Sequence, residues 1–209
     1  MYRFASAEHN SKKDSDSNTL MARLLAGPLR LGIWAEDEIL WIYPSSRDLA
    51  EHYECGLTVT SMNSTKDYEM IKFNATNHTG RRWKAKVVVQ YRNIFKKHST
   101  SFYSPNENAI VSFSDDSVSV LGGLLGNKGM VQYSIQENHS YSTRNLVEDM
   151  KKGSLPMKWL GQGNITSIFT LETVLEPKES CEGTIWTFHS VSEEAVQALK
   201  REKVDTFLQ

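Results

Sequence analysis

Between residues 77 and 93 the chain reads NHTGRRWKAKVVVQYRN. Trp83, Ala85, Val87, Val89 and Tyr91 fall on one parity; Arg82, Lys84, Lys86, Gln90 and Arg92 fall on the other. A period of two predicts a strand with the first set turned to a core and the basic set turned to solvent or to a partner. Similar runs recur on both sides. LRLGIWAEDEILWIYP (29–44) predicts a hairpin with an acidic turn at Glu36-Asp37-Glu38, ended by Pro44. YECGLTVTSMNS and YEMIKFNATN give two more strands. TSFYSPNENAIVSFSDDSVSVLGG supplies further strands with turns at Pro105-Asn106 and Asp115-Asp116, and GMVQYSIQ another. SIFTLETVLEPKES and CEGTIWTFHS read as two late strands around a turn at Pro177.

Two segments switch to helical spacing. STRNLVEDMKKGSLP carries Ser142 or Thr143 as an N-cap and Gly153 as a stop, which predicts a short helix over 143–152. In SVSEEAVQALKREKVDTFLQ, Ser192 caps a helix with Glu193 and Glu194 in its first turn. Val196, Leu199, Lys200, Lys203, Val204, Phe207 and Leu208 form its mainly apolar stripe. Roughly ten strands with two helices predict an all-β fold. The expected form is a two-sheet antiparallel supersandwich with a short helix and a C-terminal helix. Residues 1–20, rich in Ser, Lys, Asp and Asn in their second half, read as a flexible arm. Residues 21–209 read as a single sandwich domain, with Met21 as a second candidate start.

Composition narrows the function classes. A formal net charge of -1 and a pI near 6.6 give no global attraction to nucleic acid or to an anionic membrane. No apolar run reaches the roughly 18–20 residues of a membrane helix. The N-terminus has no apolar core of a signal peptide, so a cytoplasmic location is expected. Cys55 and Cys181 have no close-spaced partners and read as two reduced thiols, with a cross-strand disulfide as the alternative. The sequons at Asn63, Asn74, Asn77, Asn138 and Asn164 carry no weight without a signal peptide.

Catalytic motifs fail on spacing. In GGLLGNKG (122–129) the neighbours of Lys128 are Asn127 and Gly129, where a phosphate loop needs Gly and then Ser or Thr; a glycine-rich turn between strands is the reading. GQGNIT (161–166) has Thr166 where a dinucleotide fingerprint has its third glycine, and a strand follows it. The six histidines, His9, His52, His78, His98, His139 and His189, show no metal-ligand spacing, so no metal and no cofactor is expected. No Gly-x-Ser-x-Gly elbow occurs. The acidic pairs in turns are solvated charges and not a cleft-spanning acid/base pair.

Aromatic residues are the remaining signal, because a flat ring suits the C–H face of a pyranose. Trp34 and Trp83 sit on core parity. Trp41 and Tyr43 share a parity in the second hairpin strand, and Trp159 follows GSLPMK in a loop as the best exposed platform. Trp159, Trp41 and Tyr43 are therefore the candidate carbohydrate contacts. Val196, Leu199 and Phe207 are candidate contacts for a protein partner or a second copy, should the helix stripe be left uncovered.

The order of elements resembles a known family. LRLGIWAEDEILWI resembles the hairpin that opens the N-terminal supersandwich of glucoamylase-like proteins of glycoside hydrolase family fifteen. IKFNATNHTGRRWKAKVVVQYRN and FYSPNENAIVSF are similar to the strand pair and hairpin that follow there. SIFTLETVLEPKES and GTIWTFHSVSEEAVQAL resemble its closing strands, so the likeness runs over about 29–205. The catalytic glutamates of that family lie in an α-helical barrel after the sandwich, so the resemblance implies no catalytic residue here. It implies a non-catalytic sandwich that binds an α-glucan, another oligosaccharide or a protein partner, or the accessory half of a split hydrolase. The competing expectation is a sugar-active sandwich enzyme of epimerase, mutarotase or lyase type. Such an enzyme needs a His and a carboxylate at one parity on neighbouring strands, and His189 with Glu172 is the pair to test.

Overall fold

Alternation of apolar side chains decides how the strands stack. In the computed structural model the described residues are 29–35, 38–42, 49–51, 54–92, 99–137, 149–150 and 152–207. Among the described residues thirteen strands form two sheets. They are β1 (Leu29–Ala35), β2 (Glu38–Ile42), β3 (Leu49–Glu51), β4 (Cys55–Ser64), β5 (Tyr68–Asn77), β6 (Trp83–Arg92), β7 (Ser99–Ser104), β8 (Ala109–Ser114), β9 (Ser117–Leu125), β10 (Met130–Glu137), β11 (Leu160–Gln162), β12 (Ile165–Leu175) and β13 (Ser180–Ser190). One sheet runs β10-β12-β6-β1-β2; the other runs β11-β7-β8-β9-β13-β5-β4-β3. Every pairing is antiparallel. This is the expected two-sheet sandwich.

The core lies between the sheets. Leu31, Ile33, Val87, Val89, Phe169 and Leu171 from the smaller sheet meet Leu57, Ile71, Phe73 and Ile185 from the larger, all at 0% exposure. Burying each such side chain contributes about 1.5–3 kcal/mol. The β1–β2 hairpin pairs as its sequence predicts, with Leu31 opposite Ile42. Gly122 lies in β9 under the Trp186 indole, where a Cβ would stand 2.5 Å from Nε1. GGLLGNKG is thus a strand running into a turn at Gly126, φ 59°.

The two late strands flank the turn at Pro177 as expected, and that turn carries the chain from one sheet to the other, so β12 and β13 do not pair. The polar face of β6 is not simply wet. Val88 is fully buried there and Gln90 is 7% exposed; Lys84 keeps its side chain 66% exposed, whereas Lys86 keeps only 17%. The cover includes Leu155, which packs with Trp34, Val88 and Ile168 on the outside of the small sheet.

Helix α1 (Glu193–Phe207) covers part of the outer face of the large sheet, over β13 and β9. Ser192 caps it as expected, its Oγ accepting the Ala195 N–H at 3.2 Å. Val196 is fully buried against Met70, Val120, Trp186 and Phe188, with Leu199 and Val204 beside it. Val196, Leu199 and Val204 of the stripe are therefore spent on the chain's own sheet. That corrects Val196 and Leu199 as partner contacts; the Phe207 side chain lies outside the described residues. Most of the expected helix over 143–152 lies outside them too. Asp149 and Met150 are helical, and Gly153 (φ 77°) ends the turn with its N–H on the Met150 carbonyl at 3.1 Å. The arm 1–20 is also outside the described residues.

Candidate functional site

The short strand β11 positions the best candidate. Sequence periodicity cannot detect a three-residue strand, and the segment was expected to be loop. β11 is an edge strand of the large sheet and lies beside β10, an edge strand of the small one. It pairs with β7, and just before it the Lys158 carbonyl accepts the Ile135 N–H of β10 at 2.9 Å. The Trp159 carbonyl accepts the Tyr103 N–H at 2.9 Å. Both sheets thus fix the backbone at Trp159, while its side chain is 59% exposed. The register continues to place Trp159 opposite Tyr103, and opposite residues share a face. Tyr103 stacks on Tyr133 with centroids 3.9 Å apart and planes at 16°. Asn108 donates to the Tyr103 hydroxyl at 3.2 Å. Burial pushes the Tyr103 hydroxyl above its ordinary pKa, with Tyr133 adding to it, so the phenol stays neutral. Tyr103 and Tyr133 were not singled out from the sequence. Their tyrosine type was visible, but their proximity depends on two sheets meeting.

The other aromatic candidates do not join Trp159. Trp41 lies on β2, half-buried against the cluster of Trp34 and Leu155. β2 and β10 are opposite edges of the small sheet. Four inter-strand steps of about 4.8 Å separate them, roughly 19 Å. Tyr43 lies outside the described residues.

A buried polar cluster holds the approach to Trp159. Glu172, 5% exposed, projects from β12 onto the outside of the small sheet. Its carboxylate pairs with Lys84 at 2.7 Å and Lys86 at 3.9 Å, and accepts from Gln132 at 2.8 Å and Thr170 at 2.9 Å. Burial alone would raise its pKa. The Lys84, Thr170 and Gln132 hydrogen bonds and the Lys86 charge outweigh burial and hold the carboxyl below its ordinary range. Lys86 donates to the Gly153 carbonyl at 2.7 Å and sits 4.6 Å over the Trp34 ring. Gln132 accepts the Leu155 N–H at 2.9 Å. Glu172 is thus a structural clamp on the segment that leads to Trp159.

The pairing of Glu172 with His189 is not formed. β12 and β13 belong to different sheets, and Glu172 is on an outer face while His189 is on an inner one. His189 Nδ1 is 2.9 Å from Ser119 Oγ, and its ring is 6.4 Å from that of Tyr91. The carboxylate on the neighbouring strand at its parity is Glu69, directly opposite Thr187. Burial raises the Glu69 carboxyl. Burial first, and then Glu69, push the Tyr91 hydroxyl up to about 12.

Among the described residues, no group of three or more His, Cys, Asp or Glu is arranged to hold a metal ion. No helix among them is long and apolar enough to cross a membrane.

Comparison with known proteins adds the fold. No family model matches the chain. No curated protein matches it significantly in sequence. Among solved structures, a bacterial glucoamylase complexed with acarbose superimposes with a TM-score of 0.56 at 12% identity, over 85% of this chain. The chain spans 28% of the length of that glucoamylase. A polysaccharide lyase matches at a TM-score of 0.44 and 10% identity, over 81% of this chain and 26% of that one. The glucoamylase likeness shows a shared β-sandwich.

Proposed function

We propose that this chain is a non-catalytic β-sandwich module that binds a neutral oligosaccharide, of α-glucan type, on the edge formed at Trp159. The observation that carries it is a 59%-exposed indole on a backbone pinned by two sheets. Trp is seldom left this open, because its ring carries a large apolar surface. Here the exposure is combined with rigidity, so little conformational entropy is lost when a sugar face stacks on it. The neutral hydroxyl of Tyr103 and the amide of Asn108 lie on the same edge and supply polar groups for sugar hydroxyls. The fold shared with a glucoamylase supports the choice of ligand class.

A protein-docking role has less support, since Val196, Leu199 and Val204 of the helix stripe pack on the chain's own sheet. A sugar-active enzyme loses its candidate pair with the separation of His189 from Glu172. The test is calorimetric titration with maltose through soluble starch. Saturable heat with a fixed stoichiometry, lost in Trp159→Ala and kept in Trp41→Ala, is the expected result. No heat across the panel removes the glycan reading.

A further inference from the structure

The opposite end of β11 opens onto a cleft of about 430 Å³ that the reading above does not use. Three of its side chains form a row. Phe113 on β8 is opposite Thr100 on β7, and Thr100 is in turn opposite Gln162 on β11. Opposite residues share a face, so ring, hydroxyl and amide line up across three strands, about 10 Å in width. Phe113 is 36% exposed, and its ring is stacked on Phe102 with centroids 5.9 Å apart and planes at 11°. The same ring is one of the groups that line the cleft. Asp115, in the β8–β9 turn, closes one side, and Gly163 (φ 86°) turns the chain at the other.

We infer that this cleft is a second binding site, for a single neutral pyranose ring. It rests on the carbohydrate reading for the ligand class but not on Trp159. The chemistry is specific. A fixed aromatic face suits the apolar side of a sugar ring. The Gln162 amide both donates and accepts, the Thr100 hydroxyl does likewise, and the Asp115 carboxylate accepts from two sugar hydroxyls. Among the described residues no cation lines the cleft, and Asp115 disfavours sugar phosphates and uronic acids by like charge. Trp159 and Gln162 are three residues apart, an odd number, so they present to opposite faces of β11. The two sites are therefore separate, and small sugars fill them independently.

The experiment is calorimetric titration of the full chain with methyl α-glucoside and maltotriose, with glucuronic acid and glucose 6-phosphate as controls. Proton–nitrogen spectra of the Gln162 side-chain amide are recorded in parallel. Two classes of site are expected. One is lost in Trp159→Ala. The other is weakened about tenfold or more by Phe113→Ala and by Gln162→Ala, and only its filling shifts the Gln162 amide. Asp115→Asn is expected to bring glucuronic acid binding close to that of methyl α-glucoside. Gln162 is exposed, so its variant keeps the fold even if Phe113→Ala does not. One class only, abolished by Trp159→Ala and indifferent to Gln162→Ala, overturns this inference and leaves the first reading standing. Binding that depends on Gln162 and not on Trp159 does the reverse. No binding by the wild-type chain overturns both.

Discussion

Gln132 gives its amide proton to Glu172 at 2.8 Å and accepts the backbone N–H of Leu155 at 2.9 Å. A buried carboxylate is thereby linked, through one side chain, to the segment that delivers Trp159 to the surface. Lys86 makes the parallel link, from Glu172 to the Gly153 carbonyl. This double clamp fixes the segment that leads to the exposed Trp159.

Glu172→Gln is expected to lower stability by about 1–3 kcal/mol, because it leaves Lys86 without its counter-charge in a mostly covered position. Denaturant unfolding measures the loss. Hydrogen exchange at the Leu155 amide should quicken in the same variant by more than the global loss accounts for. Exchange that tracks global stability alone would deny the clamp.

The same carboxylate sets a pH dependence. Its folded pKa lies below the ordinary 4.5, so its contribution is fully present above that value. It is lost as pH falls through the depressed folded pKa. The stability difference between wild type and Glu172→Gln should therefore be constant from pH 7 to about 5 and shrink in more acid solution. A difference that grows on acidification would contradict the assignment.

The two thiols should separate in reactivity. Cys55 is fully buried, and burial, with Glu54 adding to it, pushes its pKa up to about 11. Cys181 is also raised, first by burial and then by Glu179, with Lys128 opposing, but it is only half-buried. A thiol reagent at pH 8 should titrate Cys181 quickly in the folded chain and Cys55 only on unfolding. Two equal rates would contradict the placement of Cys55.

Gly122→Ala should destabilise by about 1–3 kcal/mol, since its Cβ would press on the Trp186 ring, which is itself packed under α1. Val196→Ala should cost a similar amount through the cavity it opens beneath the same helix. Thermal unfolding checks both. An unchanged midpoint for Gly122→Ala would deny the close approach of the Trp186 ring, and one for Val196→Ala would mean that α1 is not docked on this sheet.

How much of this was legible in the chain follows from what alternation encodes. Trp83 to Tyr91 announced an inner face because strand period fixes which side chains go together. It does not say which sheet a strand joins, so the parting of β12 from β13 at Pro177 was invisible, and Glu172 was set beside His189 wrongly. The covering of Lys86 involves Gly153, more than sixty residues downstream. The one local hint was Val88, an apolar residue on an otherwise polar face. Trp159 was found as exposed by its loop-like context. Tyr103, Tyr133 and the Phe113–Thr100–Gln162 row were not, because a three-residue strand has no period to read.

The most direct test of the central claim is titration of the chain and of Trp159→Ala with a maltooligosaccharide series, with melting temperatures as the fold control. Saturable binding that falls at least tenfold on loss of the indole, with an unchanged melt, is the expected result. Equal binding by both proteins, or none by either, would contradict it.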